Sequence, residues 1–141
     1  MITIAINGFG RIGRRVFRLA LQHPNIQVVA INDLADTKTL SHLLKYDSIH
    51  GVLSNKVSYD DEHIMVDDNK FPLYNHSHPK TLDWPLTTPD FVVESSGKFK
   101  SKSDLDYHIQ NGAKQVILTV PPTNDDIKLV VLGVNDGDLQ G

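Results

Sequence analysis

Cysteine is absent from this chain of 141 residues. Disulfides, thiolate metal sites and a cysteine nucleophile are therefore excluded from the stretch itself. Long apolar runs are missing too. Nothing approaches the ~20 residues of a membrane span, and no secretory apolar segment opens the N-terminus. The resulting expectation is a cytoplasmic location with no membrane partner. Charge of one sign is scarce: 14 Lys and Arg against 17 Asp and Glu leave a net charge of −3. That balance gives no reason to expect a nucleic acid. Internal repeats and low-complexity segments are absent as well. What remains is ordinary globular composition, 40% hydrophobic and 22% charged. The length suits one domain, 1–141, able to bury roughly 68% of its unfolded surface.

The most informative stretch is 2–13, Ile-Thr-Ile-Ala-Ile-Asn-Gly-Phe-Gly-Arg-Ile-Gly. A short apolar run breaks into Gly8-x-Gly10-x-x-Gly13 and then a helical pattern, which is how a dinucleotide-binding unit begins. One glycine permits the tight turn, one lets the backbone approach a pyrophosphate, and one lets helix and strand pack closely. The helix that follows offers unpaired N–H groups and the positive end of its dipole to that anion. Asp33 stands 20 residues after Gly13, the spacing of a carboxylate that accepts from ribose hydroxyls. It would repel a 2′-phosphate, and no arginine occupies 34–37, so NAD is expected over NADP. The plainer alternatives are an ordinary strand-to-helix turn and a capping or turn aspartate; the fitting intervals weigh against both.

Apolar and β-branched runs recur between helical segments, which predicts an α/β fold: a doubly wound, mostly parallel Rossmann-type sheet. Strands are expected near 2–6, 26–31, 91–94, 116–120 and 129–134. A helix over 11–22 would place Ile12, Val16, Leu19 and Ala20 on its packed side. A second helix, capped by Asp36 or Thr37, would bury Leu40, Leu43 and Leu44. A third over 104–110 ends at Asn111-Gly112. Alternation over 52–74, broken at Asp60-Asp61 and Asp67-Asp68-Asn69, predicts an antiparallel excursion. Such sheets bind ligands beyond the carboxyl ends of their strands. Those ends read Asn7-Gly8, Asn32-Asp33, Ser95-Ser96-Gly97 and Thr119-Val120-Pro121, and the topology brings them to one edge.

Other candidates are weaker. Arg11 is ambiguous: a solvated helix face beside Arg14, Arg15 and Arg18 is one expectation for its side chain, and its backbone N–H suits phosphate better than its guanidinium. His76-x-His78 has metal-like spacing but no third ligand, so no metal is expected. His42, His50, His63 and His108 read as surface or satisfied structural residues. Trp84, among Leu82, Pro85 and Leu86, reads as a packing anchor.

Ala5-Ile6-Asn7-Gly8-Phe9-Gly10-Arg11-Ile12-Gly13-Arg14 resembles the opening of the glyceraldehyde-3-phosphate dehydrogenase family, as does Val29-Ala30-Ile31-Asn32-Asp33-Leu34. Leu43-Leu44-Lys45-Tyr46-Asp47-Ser48-Ile49-His50-Gly51, Val92-Val93-Glu94-Ser95-Ser96-Gly97, Gly112-Ala113-Lys114-Gln115-Val116-Ile117 and Gly133-Val134-Asn135 continue the likeness. It runs collinearly over the whole chain. The resemblance implies an NAD-binding domain whose complete enzyme oxidises and phosphorylates glyceraldehyde 3-phosphate in glycolysis as a homotetramer. It implies that Arg11 and Ile12 bind the pyrophosphate through their amides and that Asp33 holds the adenosine ribose. Ser96 and Gly97 would line the adenine-ribose cleft, with Thr119 near the nicotinamide end. Asn7, Gly8 and Gly10 complete the expected cofactor set. The family's Arg-Asp-Pro block is Ser77-His78-Pro79 here, so Ser77 stands where an arginine contacts adenine, and weaker NAD binding is expected. The family's nucleophilic cysteine, its histidine base and its phosphate-binding residues have no counterpart in these residues. No catalytic residue is assigned, and the stretch by itself is expected to be inactive and at most weakly self-associating. The alternatives are a fragment of the sister erythrose-4-phosphate dehydrogenase and a stand-alone non-catalytic binding module.

Overall fold

In the computed structural model, residues 1–84 and 88–139 are described; Pro85 and Leu86, named above as neighbours of Trp84, lie outside them. The elements run β1 Ile2–Asn7, α1 Arg11–Gln22, β2 Ile26–Asn32 and α2 Thr37–Lys45. A two-strand ribbon follows, β3 Tyr46–Asp47 and β4 Gly51–Val52, then β5 Val57–Tyr59, β6 His63–Val66 and β7 Asn69–Tyr74. The chain continues with β8 Phe91–Glu94, α3 Lys102–Gln110 and β9 Gln115–Leu118. Single 3₁₀ turns cover Pro79–Thr81 and Asp136–Asp138.

Alternation along β1 explains the layers. Ile4 and Ile6 face one side with Phe17, Ala20, Leu40 and Leu44, so α1 and α2 cover it. Ala5 faces the other with Ala30, Val92, Leu82, Trp84 and Ala113. Phe17 sits edge-on to both Phe9 and Phe71, with ring centroids 5.4 and 4.8 Å apart. Small residues in the second cluster let loop and strand approach closely.

The main sheet has the order β5-β6-β7-β2-β1-β8-β9. β7, β2, β1, β8 and β9 are parallel, while β5-β6-β7 zigzag antiparallel. The predicted excursion thus exists, and β7 fuses it into the main sheet. The chain moves outward from β1 to β2 and β7, then returns to the far side of β1 to form β8. Strand order therefore reverses between β1 and β8, which is where such a sheet opens a crevice.

The expectations for the helix faces and for one strand are corrected. The packed side of α1 carries Gly13, Phe17, Arg18 and Ala20, with Val16 half-buried, whereas Ile12 and Leu19 are exposed. Close contact with β1 is possible only where the helix presents glycine, and that choice rotates the face by about one residue. Likewise Leu43 is exposed beside buried Leu40 and Leu44. The second correction concerns 129–134, which forms no strand. Val131 N donates to Asn135 Oδ1 at 2.7 Å and Gly133 N to Asp136 Oδ1 at 2.9 Å. These local acceptors take the amides that a ladder would need, and β9 remains the edge strand.

Candidate functional site

The glycine turn joins β1 to α1, and its three glycines have different reasons to be there. Gly8 has φ +90, and a Cβ there would lie 2.5 Å from the Ser96 backbone. A Cβ on Gly13 would collide with the Gly8 carbonyl oxygen. Both glycines are demanded by the fold. Gly10 is different: its φ is −77, and a Cβ there would meet nothing within 4 Å. Gly10 is also the N-cap of α1 and provides no side-chain cap. The first-turn amides of α1 consequently have no intrahelical acceptor, and the first turn itself contains no acidic residue.

In front of this turn lies a crevice of about 190 Å³. Asn7, Gly8, Gly10, Asp33, Ser77 and Ser96 from the expected set line it. Asp33 is held on both oxygens: Phe9 N donates to Oδ2 at 2.7 Å and Ala35 N to Oδ1 at 2.9 Å. Each oxygen keeps a lone pair for another donor. Asn7 Oδ1 accepts from Asn32 Nδ2 at 2.7 Å, and Asn32 Oδ1 accepts from His76 N at 2.9 Å. This buried amide pair joins the ends of β1 and β2 to the loop after β7. On the opposite wall, Ser95 Oγ donates to the Gly8 carbonyl at 2.6 Å. Gly97, φ +73, then turns the chain away from β8.

Arg11, Ile12, Gly97 and Thr119 do not line the crevice. Arg11 and Ile12 project outward from the first turn of α1. Thr119 Oγ1 donates to the Glu94 carbonyl at 3.1 Å beyond the end of β9. Six lining residues lie outside the expected cofactor set: Asn32, Leu34, His76, Ser95, Lys98 and Phe99. Asn32 and Ser95 are among the strand-end residues singled out above, and Leu34 follows Asp33, so the strand-end rule reaches all three. Phe99 and Lys98 come from the loop after β8, for which the periodicity gave no signal.

Burial lowers the Arg14 pKa below its usual value, opposed by Asp47 and Asp33, while Arg14 Nη1 donates to the Phe9 carbonyl at 2.9 Å. His78, one of the pair with metal-like spacing, has local partners. His78 Nδ1 accepts from Lys80 N at 3.1 Å, and its ring packs against Phe99 and Tyr107. Among the described residues no three metal-competent side chains cluster, and no helix is long and apolar enough to cross a membrane.

Comparison with known proteins supplies the chemistry. The family described as "Glyceraldehyde 3-phosphate dehydrogenase, NAD binding domain" matches residues 2–102. The chain is similar to the glyceraldehyde-3-phosphate dehydrogenase of Thermotoga maritima, 46% identical over 142 aligned positions that cover 99% of the chain and 42% of that protein. It is 47% identical to that of Geobacillus stearothermophilus, covering 95% of the chain and 40% of that protein. With that of Borreliella burgdorferi it shares 50% identity, covering 98% and 42%. The chain thus spans about 40% of the length of such relatives.

Proposed function

The chain belongs to the glyceraldehyde 3-phosphate dehydrogenase NAD-binding domain family, and on that premise we propose that its crevice holds NAD. Gly10 carries this reading. Neither its backbone conformation nor any protein atom requires a glycine there. A Cβ at that point would occupy the crevice wall, where a diphosphate must come close to the chain.

The residues suit the parts of the cofactor. The amides of Gly10, Arg11 and Ile12 receive pyrophosphate oxygens at the positive end of α1. The free lone pairs of Asp33 accept from ribose hydroxyls, and its charge repels a 2′-phosphate. Leu34 and Phe99 offer apolar surface to a flat base, with Ser77 beside them. Asn7 and Gly8 form the floor, Ser96 and Gly97 the far wall, and Thr119 marks the direction of the nicotinamide. When bound, NAD supplies a ring that accepts hydride; the work of this chain is to bind and orient it.

The aldehyde-oxidising, phosphorylating activity on glyceraldehyde 3-phosphate is proposed for a protein in which these residues form the cofactor part. That chemistry uses an activated nucleophile, and the stretch holds no cysteine. These residues alone are expected to bind without turnover, as a monomer or a weak self-associate; the whole enzyme is expected to be a cytoplasmic homotetramer working in glycolysis. Nothing in the crevice favours the erythrose-4-phosphate alternative or a stand-alone module.

Calorimetric titration with NAD tests the reading. Gly10→Ala should weaken NAD at least roughly tenfold, with no loss of thermal stability, because the added methyl meets only the space a ligand would fill. Unchanged affinity in that variant would refute the placement. Asp33→Ala should cost ~1–3 kcal/mol of NAD binding by leaving ribose hydroxyls unpaired.

A further inference from the structure

Asn7 and Asn32 at the crevice wall and Glu94 and His108 behind it are all buried, so each needs partners within the protein. Glu94 closes β8 and uses both carboxylate oxygens. Its Oε2 accepts from Asn7 Nδ2 at 2.6 Å and from His108 Nε2 at 2.8 Å. Its Oε1 accepts from Ser96 N at 3.0 Å and from Ser96 Oγ at 2.5 Å. Asn7 and Ser96 line the crevice, whereas Glu94, His108 and Trp84 do not.

The direction of these bonds is set from outside the carboxylate. Trp84 Nε1 lies 3.2 Å from His108 Nδ1. An indole N–H only donates, so Nδ1 must offer its lone pair. The imidazole is then neutral, with its proton on Nε2 and aimed at Glu94. Asn7 Oδ1 is already engaged by Asn32 Nδ2, which fixes the amide orientation and turns Asn7 Nδ2 towards the same oxygen. The backbone N–H of Ser96 can only donate. Fixed donors thus face both oxygens, and a carboxylate accepts on both. A carboxamide would turn its own NH₂ against one set.

We infer that Glu94 is a positioning residue for cofactor binding, an ionised carboxylate that Trp84 and His108 hold in place and that in turn sets Asn7 and the Ser95–Gly97 turn. The inference rests on the reading of the crevice as an NAD site. Its chemical consequence lies at Ser96. Because the hydroxyl hydrogen is directed to Glu94, Oγ turns its lone pairs outward. One accepts from Lys98 N at 3.2 Å, and the other remains for a ligand hydroxyl. This wall of the crevice therefore presents an acceptor, suited to a ribose hydroxyl and unsuited to a phosphate oxygen. Trp84 and His108 control that polarity without touching the ligand.

Calorimetric NAD titration of the full chain, with thermal unfolding recorded beside it, tests the inference through Glu94→Gln, His108→Gln and His108→Leu. Glu94→Gln should weaken NAD by roughly tenfold, since one set of buried donors loses its acceptor. A glutamine at 108 can donate to Glu94 and accept from the indole together, so His108→Gln should stay within roughly threefold of the unaltered chain. His108→Leu fills similar space without the bonds and should lose roughly tenfold. A role in packing alone predicts equal affinities for the two His108 variants, and that result would overturn the inference. So would unchanged affinity in a folded Glu94→Gln protein. If Glu94→Gln fails to fold, the His108 pair still decides. No saturable NAD binding by the unaltered chain would overturn the NAD reading and the inference together; normal binding with indifferent variants would remove the inference alone.

Discussion

Residues 26–32 read Ile-Gln-Val-Val-Ala-Ile-Asn, and residues 129–135 read Leu-Val-Val-Leu-Gly-Val-Asn. By composition both are buried parallel strands ending in asparagine. Only the first is a strand. In β2, Val28, Ala30 and Ile31 are buried, with β1 on one side and β7 on the other. In the second stretch Leu132 is 84% and Val134 78% exposed. The two asparagines make the contrast plain. Asn32 reaches across to Asn7 and to the loop at His76. Asn135 turns back on its own segment, accepting from Val131 N and donating to the Leu129 carbonyl. A β-branched run becomes a strand when neighbours take its amides; where its own turn takes them, the same pattern is left in solvent.

Ile31 and Leu132 break the comparison most directly. Ile31→Ala removes a fully buried side chain between two strands and should destabilise by ~2–5 kcal/mol. Leu132→Ala, at an exposed turn, should stay within ~0.5 kcal/mol. Urea midpoints at constant slope measure both, and similar losses at the two sites would show that 129–134 is packed after all. The asparagines give a smaller contrast of the same kind. Asn32→Ala leaves buried Asn7 Oδ1 and half-buried His76 N without partners, at ~1–3 kcal/mol. Water can replace the bonds of Asn135, so Asn135→Ala should cost less than ~1 kcal/mol.

The same contrast explains what the sequence could and could not reveal. The turn at Gly8–Gly13, the placement of Asp33 and four of the five parallel strands, β1, β2, β8 and β9, follow from local spacing, because glycine geometry and strand period act over a few residues; the parallel pairing of β7 with β2 does not. The packed face of α1 differs from the apolar period because close approach to β1 is decided by the glycine at 13, the smallest side chain, and not by the apolar residues at 12 and 19. Phe99 and Lys98 reach the crevice from a loop with no periodicity to betray its path. The sequence leaves His108 as a surface or a satisfied structural residue, and the structure shows the second. What the residue pattern left hidden is its partner, since Trp84 and Glu94 meet it only after β8 and α3 have packed.

The smallest effect expected concerns the opposite, amino-terminal edge of the sheet, which the strand at β1 needs and the 129–135 run never acquires. There Asp90 ties β1 to the loop before β8. Thr3 N and Thr3 Oγ1 donate to its Oδ2 at 2.8 and 3.0 Å, and Lys114 Nζ lies 2.6 Å from its Oδ1. Lys114 first, then the Thr3 donors, lower its pKa from 3.8 to about 2. A carboxyl held below its unfolded value stabilises the fold above that value, and the gain is lost as protons bind on the way down. The contribution of Asp90 should therefore be complete above about pH 4 and disappear towards pH 2. Asp60, also lowered to about 2, titrates in the same window, so the difference between the unaltered chain and Asp90→Asn isolates the one group. Denaturant midpoints followed from pH 6 to 2 should converge for the two proteins at the acid end. Parallel curves throughout would mean that the Thr3 and Lys114 bonds do not hold in solution, and that β1 keeps its register through its neighbours alone.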